Sequence, residues 1–166
     1  PEEISKKIAR KTNAKIVVDG FAGVGGTGIA YAQYSDHVYV IEINPTRLAM
    51  LKNNAQIYGV DNKITFIDGD YFTEAPKIKA DAMFFSPPWG GTDYIKKDKF
   101  TLSDFDPNGK DILELAFAHF PKVVLQAPKN FDISELDQFN KEYVVEDEIF
   151  NDMVIFKTIY FFIPIE

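Results

Sequence analysis

Six consecutive residues, Ser86-Pro87-Pro88-Trp89-Gly90-Gly91, are suited to chemistry on an amine. The two prolines have no backbone N–H and end the preceding apolar run abruptly, which predicts a rigid, extended turn. The carbonyl oxygens of this turn are expected to stay free for a ligand's amine, with the Ser86 hydroxyl beside them. Trp89 offers a flat surface that can hold a nucleobase by its face. A strand that ends beside a half-buried tryptophan is the simpler structural interpretation.

A glycine-rich turn lies upstream, after a short apolar run that is typical of a buried strand. Gly23, Gly25 and Gly28 satisfy the dinucleotide pattern G-x-G-x-x-G, and Glu42 lies 19 residues past Gly23, where an acid can bind ribose hydroxyls. NAD and S-adenosylmethionine both contain an adenosine. The pattern therefore fits either cofactor.

Two further acids bear on the identity of the cofactor. Asp19 precedes the glycine turn, where a carboxylate would repel a pyrophosphate but attract the cationic amino-acid tail of S-adenosylmethionine. Asp70 follows the third predicted strand and could accept a hydrogen bond from an adenine amine. Tyr71 and Phe72 could flank the adenine ring. Turn stabilisation for the acids and core packing for the aromatic rings are the alternatives.

The proline turn favours methyl transfer over hydride transfer. A dehydrogenase needs a proton donor at its hydride acceptor site, and nothing near Ser86 supplies one, since His37 and His119 are interpreted as strand-edge and helix-end residues. An exocyclic amine is a poor nucleophile because its lone pair is delocalised into the ring. Fixed carbonyls that accept both amine hydrogens would aim the lone pair at a methyl group, and such alignment can contribute roughly 7 to 11 kcal/mol. No strong general base is required.

Alternating apolar runs and helical stretches predict the elements that position these residues. The expected fold class is α/β, a three-layer sandwich with a mostly parallel, Rossmann-like seven-stranded sheet and an antiparallel C-terminal hairpin. The predicted strands are 16–19, 38–42, 64–68, 82–85, 122–127, 143–149 and 154–163. The predicted helices are 4–10, a stretch that ends near residue 34, 45–58, 111–119 and 134–139. Residues 69–72 are predicted as a turn and residues 90–110 as a long loop.

Composition excludes several classes of protein. The 166 residues are 46% hydrophobic, which suits one compact domain, and the absence of cysteine excludes disulfides and zinc–thiolate sites, so no metal is expected. A net charge of −7 argues against extended tracking along nucleic acid, although one nucleotide at a chain end needs only a few local cations. No segment is long and apolar enough to span a bilayer, so we expect a soluble, intracellular protein.

Several segments resemble the trimethylguanosine synthase family, the RNA cap guanine-N2 methyltransferases of the class I S-adenosylmethionine-dependent fold. The matching segments are 17–26, 41–45, 52–59, 69–72, 86–91 with Asp93 and Tyr94, and 127–130. The tryptophan followed by two glycines is the most specific of these. The resemblance implies a 7-methylguanosine cap whose cationic base stacks on Trp89, with S-adenosyl-L-homocysteine as product. A cation over indole contributes about 0.5 to 2 kcal/mol.

The residue pattern and the resemblance together predict the site. The catalytic turn comprises Ser86, Pro87 and Trp89. Substrate contacts are expected from Trp89, Ser86, Lys129, Asn130 and Asn54, and cofactor contacts from Asp19, Phe21, Gly23, Gly25, Glu42, Asn44, Asp70 and Tyr71. Lys129 replaces the family's usual arginine beside the cap triphosphate, and so keeps the charge without the bidentate fork. A solvated Lys129, and an Asn54 that bonds a loop, are the alternatives.

The resemblance also bears on the biological setting. It implies capped small nuclear or nucleolar RNA as the partner, a monomer, and a location in the nucleus or cytoplasm. We expect residues 1–166 to form a single catalytic domain that lacks most of the family's N-terminal helical extension, and therefore to be weakly active or inactive on their own. Methylation of an adenine or glutamine amine, and cap binding without turnover, are the alternative functions.

Overall fold

The computed structural model describes residues 1–162, and the chain divides into two compact units, Pro1–Phe85 and Ser86–Glu166. The first unit contains α1 (Glu2–Thr12), β1 (Ile16–Asp19), α2 (Gly26–Tyr34), β2 (His37–Glu42), α3 (Pro45–Ile57), β3 (Ile64–Asp68), α4 (Tyr71–Glu74) and β4 (Ala82–Phe85). The second contains α5 (Gly109–His119), β5 (Lys122–Pro128), β6 (Tyr143–Phe150) and β7 (Met153–Phe162). Ile163, the predicted end of the last strand, lies outside the described residues.

The first unit has a parallel four-stranded sheet in the order β3-β2-β1-β4. Its central strand β1 is continuously apolar up to Asp19, and Val17 and Val18 are fully buried, as expected for a strand covered on both faces. Asp19 lies beside Phe84 of β4, and the next amide, Gly20 N–H, donates to the Phe84 carbonyl at 2.9 Å. The carboxyl end of β1 is therefore held close to that of β4.

The turns of the first unit follow from local sequence. Gly25 has a φ of 100°, which glycine adopts far more easily than other residues, and it precedes the first residue of α2. Asn44 caps α3 by accepting from the backbone N–H groups of Thr46 and Arg47, and Pro45 occupies the first helical position. The helix α2 therefore begins after the glycine turn that follows β1, and α3 begins shortly after the end of β2.

The second unit is built on the antiparallel order β5-β7-β6. The connection between β6 and β7 is the pair Asn151 and Asp152, whose φ values of 50° and 61° are those of a tight two-residue hairpin turn. A predicted loop segment is tied to the region after β5, because Phe100 pairs with Phe131 in a parallel bridge. The parallel strands of the first unit and the hairpin of the second are the features that the sequence predicted.

Some local predictions need correction. Tyr71 and Phe72 begin the one-turn helix α4 instead of lying in a turn, because the Asp70 side chain accepts from the Phe72 N–H and caps a helix. The predicted loop 90–110 contains short 3-10 helices at Gly91–Lys96 and Leu102–Asp104. The predicted helix 134–139 is also 3-10 and runs over Ile133–Phe139. Within residues 1–162, every helix is too short or too polar to cross a lipid bilayer.

Candidate active site

Asp19 is a buried carboxylate at the end of β1. Its side chain accepts from the Phe21 N–H, while its Oδ1 is buried and has no hydrogen-bond partner among residues 1–162. The pKa of Asp19 is raised to about 7, mainly by burial and in part by the Glu42 carboxylate, while the hydrogen bond from the Phe21 N–H opposes both effects. A buried acceptor that lacks a donor is costly, so this oxygen suits a donor or cation that arrives with a ligand.

Glu42 holds the glycine turn and the start of α3 together. Its Oε1 accepts from the Gly23 N–H at 2.9 Å, and its Oε2 accepts from the Asn44 N–H at 2.8 Å. The Arg47 Nε lies 3.9 Å from Oε2. Each carboxylate oxygen can accept a second hydrogen bond, so the residue remains able to bind ribose hydroxyls. The sequence did not single out Arg47; its position five residues after the acid on a helix is the only signal that could have suggested it.

Asn54 binds the glycine turn from α3. Its Nδ2 donates to the Val24 carbonyl at 3.0 Å, and this is the loop-bonding role that the sequence left open. Val24 lies between Gly23, with a φ of 58°, and Gly25, so the bond fixes a turn that has little intrinsic rigidity. The predicted contact between Asn54 and the substrate stays a prediction.

Asp70 and the aromatic residues next to it form a packed corner. Asp70 is the α4 cap, and its Oδ2 accepts from the Phe72 N–H at 3.1 Å. The Tyr71 ring is only 2% exposed, lies 5.1 Å from the Phe21 ring and 5.1 Å from the Phe72 ring, and covers Gly20, where a Cβ would come within 2.7 Å of it. Tyr71 therefore packs in the core at the edge of the predicted cofactor site.

The proline turn begins the second unit. Ser86 is half-buried, Pro87 is buried and Pro88 is exposed. The Pro88 carbonyl accepts from the Asp106 N–H at 3.3 Å, so the prediction that the carbonyls of the turn stay free is wrong for this one. That Ser86 and Pro87 accept an amine stays a prediction.

Trp89 is half-buried and packs against one aromatic neighbour. The Tyr94 ring lies 5.1 Å away at 76°, an edge-to-face arrangement. The Trp89 Nε1 is buried and has no hydrogen-bond partner within the described part of the chain. The sequence indicated Tyr94 only as part of a segment that resembles the family. An aromatic residue five positions past the tryptophan in an otherwise polar stretch was the signal for it.

The residues after β5 divide into an exposed cation and a structural amide. Lys129 is exposed, as a phosphate-binding lysine or a solvated one would be. Asn130 Nδ2 donates to the carbonyls of Tyr94 at 2.8 Å and Lys97 at 2.9 Å, while its Oδ1 is buried without a partner in residues 1–162. Asn130 thus anchors the segment that follows Trp89.

Within each unit, the structure brings the predicted residues into two groups. In the first unit, hydrogen bonds join Glu42 to Gly23 and Asn44, and burial places Asp19 within the electrostatic influence of Glu42. In the second unit, ring packing and hydrogen bonds join Trp89 through Tyr94 to Asn130. Asn54 is the one predicted substrate residue that belongs to the first unit.

Comparison with known proteins identifies related sequences over most of the chain. The sequence profile of the RNA cap guanine-N2 methyltransferases matches residues 14–160. The trimethylguanosine synthase of Schizosaccharomyces pombe is 34% identical over 159 residues, which is 87% of this chain and 66% of that protein. The trimethylguanosine synthase of Saccharomyces cerevisiae is 32% identical over 141 residues, 78% of this chain and 44% of that protein. The chain thus spans less than two-thirds of each relative.

Solved structures confirm the fold class. A putative methyltransferase from Porphyromonas gingivalis W83 superposes with a TM-score of 0.79 at 14% identity, over 97% of this chain and 40% of that one. An RNA methyltransferase from Salinibacter ruber, solved with S-adenosyl-L-homocysteine, has a TM-score of 0.63 at 19% identity, over 100% of this chain and 94% of that one. At such low identity these likenesses concern the fold alone, and that fold is the predicted Rossmann-like methyltransferase fold.

Proposed function

Because the chain belongs to the RNA cap guanine-N2 methyltransferase family, we propose that it transfers a methyl group from S-adenosylmethionine to the exocyclic N2 amine of a 7-methylguanosine RNA cap. The family match over residues 14–160 carries the proposal. The proline turn ending in Trp89 supports it independently, since that turn suits an amine on a flat base. The names of the relatives support trimethylguanosine as the product, and a single transfer to 7-methylguanosine would give dimethylguanosine.

The first unit fits the cofactor. When bound, S-adenosylmethionine supplies a methyl group on a positively charged sulfur and leaves as S-adenosylhomocysteine. The buried, unpartnered Oδ1 of Asp19 is the acceptor for the cationic amino-acid end. Glu42, held by the N–H groups of Gly23 and Asn44, retains acceptor capacity for ribose hydroxyls. The Asp70 carboxylate can accept a further hydrogen bond, and we expect it to come from an adenine amine.

The second unit fits the cap. Trp89 stacks on the 7-methylguanine base, whose positive charge strengthens contact with the indole face. The Ser86 and Pro87 carbonyls accept the two N2 hydrogens and turn the nitrogen lone pair towards the methyl group, which lowers the barrier through alignment. The proton released from the methylated nitrogen passes to water. Lys129 offers one positive charge to the cap phosphates.

The proposed substrate also suggests which RNAs the protein acts on, in which oligomeric state and in which compartment. We propose that residues 1–166 act as one catalytic domain, that the substrates are capped small nuclear or nucleolar RNAs, and that a monomer acts on them in the nucleus or cytoplasm. Gel filtration with light scattering tests the monomer. Comparison of capped RNAs of different classes in a methyl-transfer assay tests the choice of RNA.

Calorimetry followed by an activity assay tests the central proposal. The protein is titrated with 7-methylguanosine triphosphate in the presence and absence of S-adenosylhomocysteine, and then incubated with radiolabelled S-adenosylmethionine and capped RNA. Cap binding with label at guanine N2 is the expected result. Tighter binding of adenine nucleotides or of a glutamine peptide than of the cap would overturn the cap as the proposed substrate. If the protein binds the cap but incorporates no label, and a protein extended to the length of its relatives behaves in the same way, the function would be cap binding without methyl transfer.

A further inference from the structure

The tip of the β6–β7 hairpin exposes large apolar side chains. Phe150 and Met153 are directly opposed in the strand register and are 47% and 65% exposed, and Ile149 is 60% exposed. The tight Asn151–Asp152 turn holds the two strands together at this point. Opposed side chains project from the same face of a hairpin, so Phe150 and Met153 form one small apolar surface. The tip is defined here as residues 149–153.

The tip lies at the same end of the second unit as Lys129. The last residue of β5, Pro128, pairs with Phe156, and Met153 lies three residues before Phe156 on the antiparallel strand β7. The tip therefore extends past the carboxyl end of β5 by roughly 10 Å, at about 3.3 Å per residue. Lys129 leaves β5 at that end.

A β-bulge separates the tip from the rest of the hairpin. Glu148 pairs with Phe156, but the next residue, Ile149, pairs with Val154, so Ile155 is the extra residue. Bulges bend a strand and redirect the side chains beyond them, and they are common next to binding sites. The bulge gives the Phe150–Met153 pair an orientation different from that of a regular hairpin.

Direct contacts connect the predicted cap stack to this end of the unit. The Trp89 ring packs on the Tyr94 ring, and the Tyr94 carbonyl accepts from Asn130, the neighbour of Lys129. The Asn130 carbonyl in turn accepts from the Phe100 N–H at 2.9 Å, which holds Lys99 beside this segment. The aromatic stack and the two exposed lysines thus belong to one connected segment at the carboxyl end of β5, the end past which the tip extends.

We propose that the tip binds the nucleotide that follows the cap, with its base on Phe150 and Met153 and the adjoining phosphates beside Lys129 and Lys99. This inference rests on the proposed function, because it requires the cap base on Trp89. Capped RNA presents a base, phosphates and a second base in turn, and this end of the unit carries an aromatic stack, two exposed lysines and a second exposed aromatic ring. Aromatic rings bind bases of any sequence through their faces.

The size and charge of the tip favour RNA over a protein partner. A stable protein interface buries about 1,200 Å² or more and needs 20 or more residues on each side, whereas the tip is a few side chains on one turn. A single base needs only one ring. The chain carries a net charge of −7, so binding must depend on a few local cations, and carboxylates such as Asp132 and Asp152 limit the attraction to one or two phosphates.

Binding measurements with RNAs of different length test the proposal. The probes are 7-methylguanosine triphosphate, a capped tetranucleotide and the same tetranucleotide without a cap, each with saturating S-adenosylhomocysteine. The proteins are the parent, Phe150→Ala, Phe150→Leu and, as a matched control far along the chain, Ile57→Ala, which removes a side chain that is 73% exposed. Thermal unfolding checks that each variant is folded.

The parent should bind the capped tetranucleotide about tenfold more tightly than the cap alone. Phe150→Ala should lose this gain and keep its affinity for the cap alone, Phe150→Leu should lose most of it because it lacks a ring, and Ile57→Ala should keep it. A parent that shows no gain, or a Phe150→Ala protein that keeps it, would overturn the inference. A parent that self-associates through the tip, with Phe150→Ala monomeric, would also overturn it. Failure of the parent to bind the cap alone would instead overturn the proposed function.

Discussion

The side-chain amide of Asn130 donates to the main-chain carbonyl of Tyr94 at 2.8 Å, and thereby ties the segment after β5 to the segment after the proline turn. The same nitrogen donates to the Lys97 carbonyl at 2.9 Å. A residue predicted to touch the substrate thus acts at least partly by positioning Tyr94, which packs edge-on against Trp89.

Asn130→Ala should loosen residues 94–97 and weaken cap binding without changing cofactor affinity. Two hydrogen bonds are lost, which corresponds to about 1 to 3 kcal/mol. Hydrogen exchange should increase in residues 91–99, and trypsin should cut sooner after Lys96 or Lys97. Asn62→Ala, which removes an exposed asparagine from the first unit, is the matched control. Unchanged exchange in this segment would show that Asn130 does not anchor it.

Trp89→Ala should lower the affinity for 7-methylguanosine triphosphate by roughly tenfold or more, because the stacking surface is removed. The affinity for S-adenosylhomocysteine should stay the same. Trp89 is the only tryptophan in the 166 residues, so quenching of intrinsic fluorescence by the cap measures the stack directly in the parent. Trp89→Phe should retain part of the affinity. Equal loss of cap and cofactor binding in Trp89→Ala would mean that the indole is purely structural.

Cofactor affinity should depend on pH through Asp19. With a pKa of about 7, this carboxyl is mostly protonated at pH 6, and a proton must leave before it can bind a cation. Affinity for S-adenosylmethionine should therefore fall by about tenfold per pH unit below 7 and level off above it. Asp19→Asn should bind weakly at every pH. A parent with the same affinity at pH 6 and pH 8 would remove Asp19 from the cationic end of the site.

Asp19 should also make the free energy of unfolding depend on pH, and this free energy should fall with rising pH, whereas cofactor affinity should rise. The pKa of Asp19 is raised in the folded state from about 3.9 in the unfolded chain, so the folded state holds this proton more tightly. Protonated Asp19 contributes up to roughly 4 kcal/mol to the free energy of unfolding. This contribution is fully present below about pH 4 and is lost as the pH rises from there through about 7. Denaturant unfolding at pH 5 and pH 8 should show a smaller decrease for Asp19→Asn than for the parent. An equal decrease in both proteins would contradict the assignment.

Gly25→Ala should destabilise the fold, whereas its neighbour should tolerate the same change. A Cβ on Gly25 would overlap Leu51 Cδ1, and the φ of 100° is strained for alanine. A Cβ on Gly26 meets nothing within 4 Å, and Gly26 begins α2, where alanine favours a helix. Thermal unfolding should show a midpoint lowered by several degrees for Gly25→Ala and unchanged or raised for Gly26→Ala. Equal midpoints would show that the turn adapts to a side chain.

Asn54→Ala should weaken cofactor binding more than cap binding. The change removes the donor to the Val24 carbonyl and so loosens the glycine turn. Asn54→Asp should behave similarly, since a carboxylate cannot donate to that carbonyl. Asn53→Ala, an exposed neighbour on the same helix, serves as the control. A loss confined to cap affinity would favour the substrate role that the sequence also allowed.

The sequence alone was sufficient for most of the strands and for the longer helices. Strands such as Ile16–Asp19 and Ile64–Asp68 were predicted to the residue, because short apolar runs bounded by polar or glycine residues allow few alternatives. The place of Glu42 followed from its spacing to Gly23. Local composition determines these features, and local composition can be read from one chain.

Only the tertiary structure decided how the polar side chains are used. Asn130 contacts Tyr94, 36 residues away, and Asn54 contacts Val24, 30 residues away, and no periodicity encodes such pairs. The burial that raises the pKa of Asp19, and the strand register that brings the hairpin tip to the end of β5, likewise arise only when distant segments pack. The sequence determined which groups are available, and three-dimensional packing decided which of them have partners already and which remain open to a ligand.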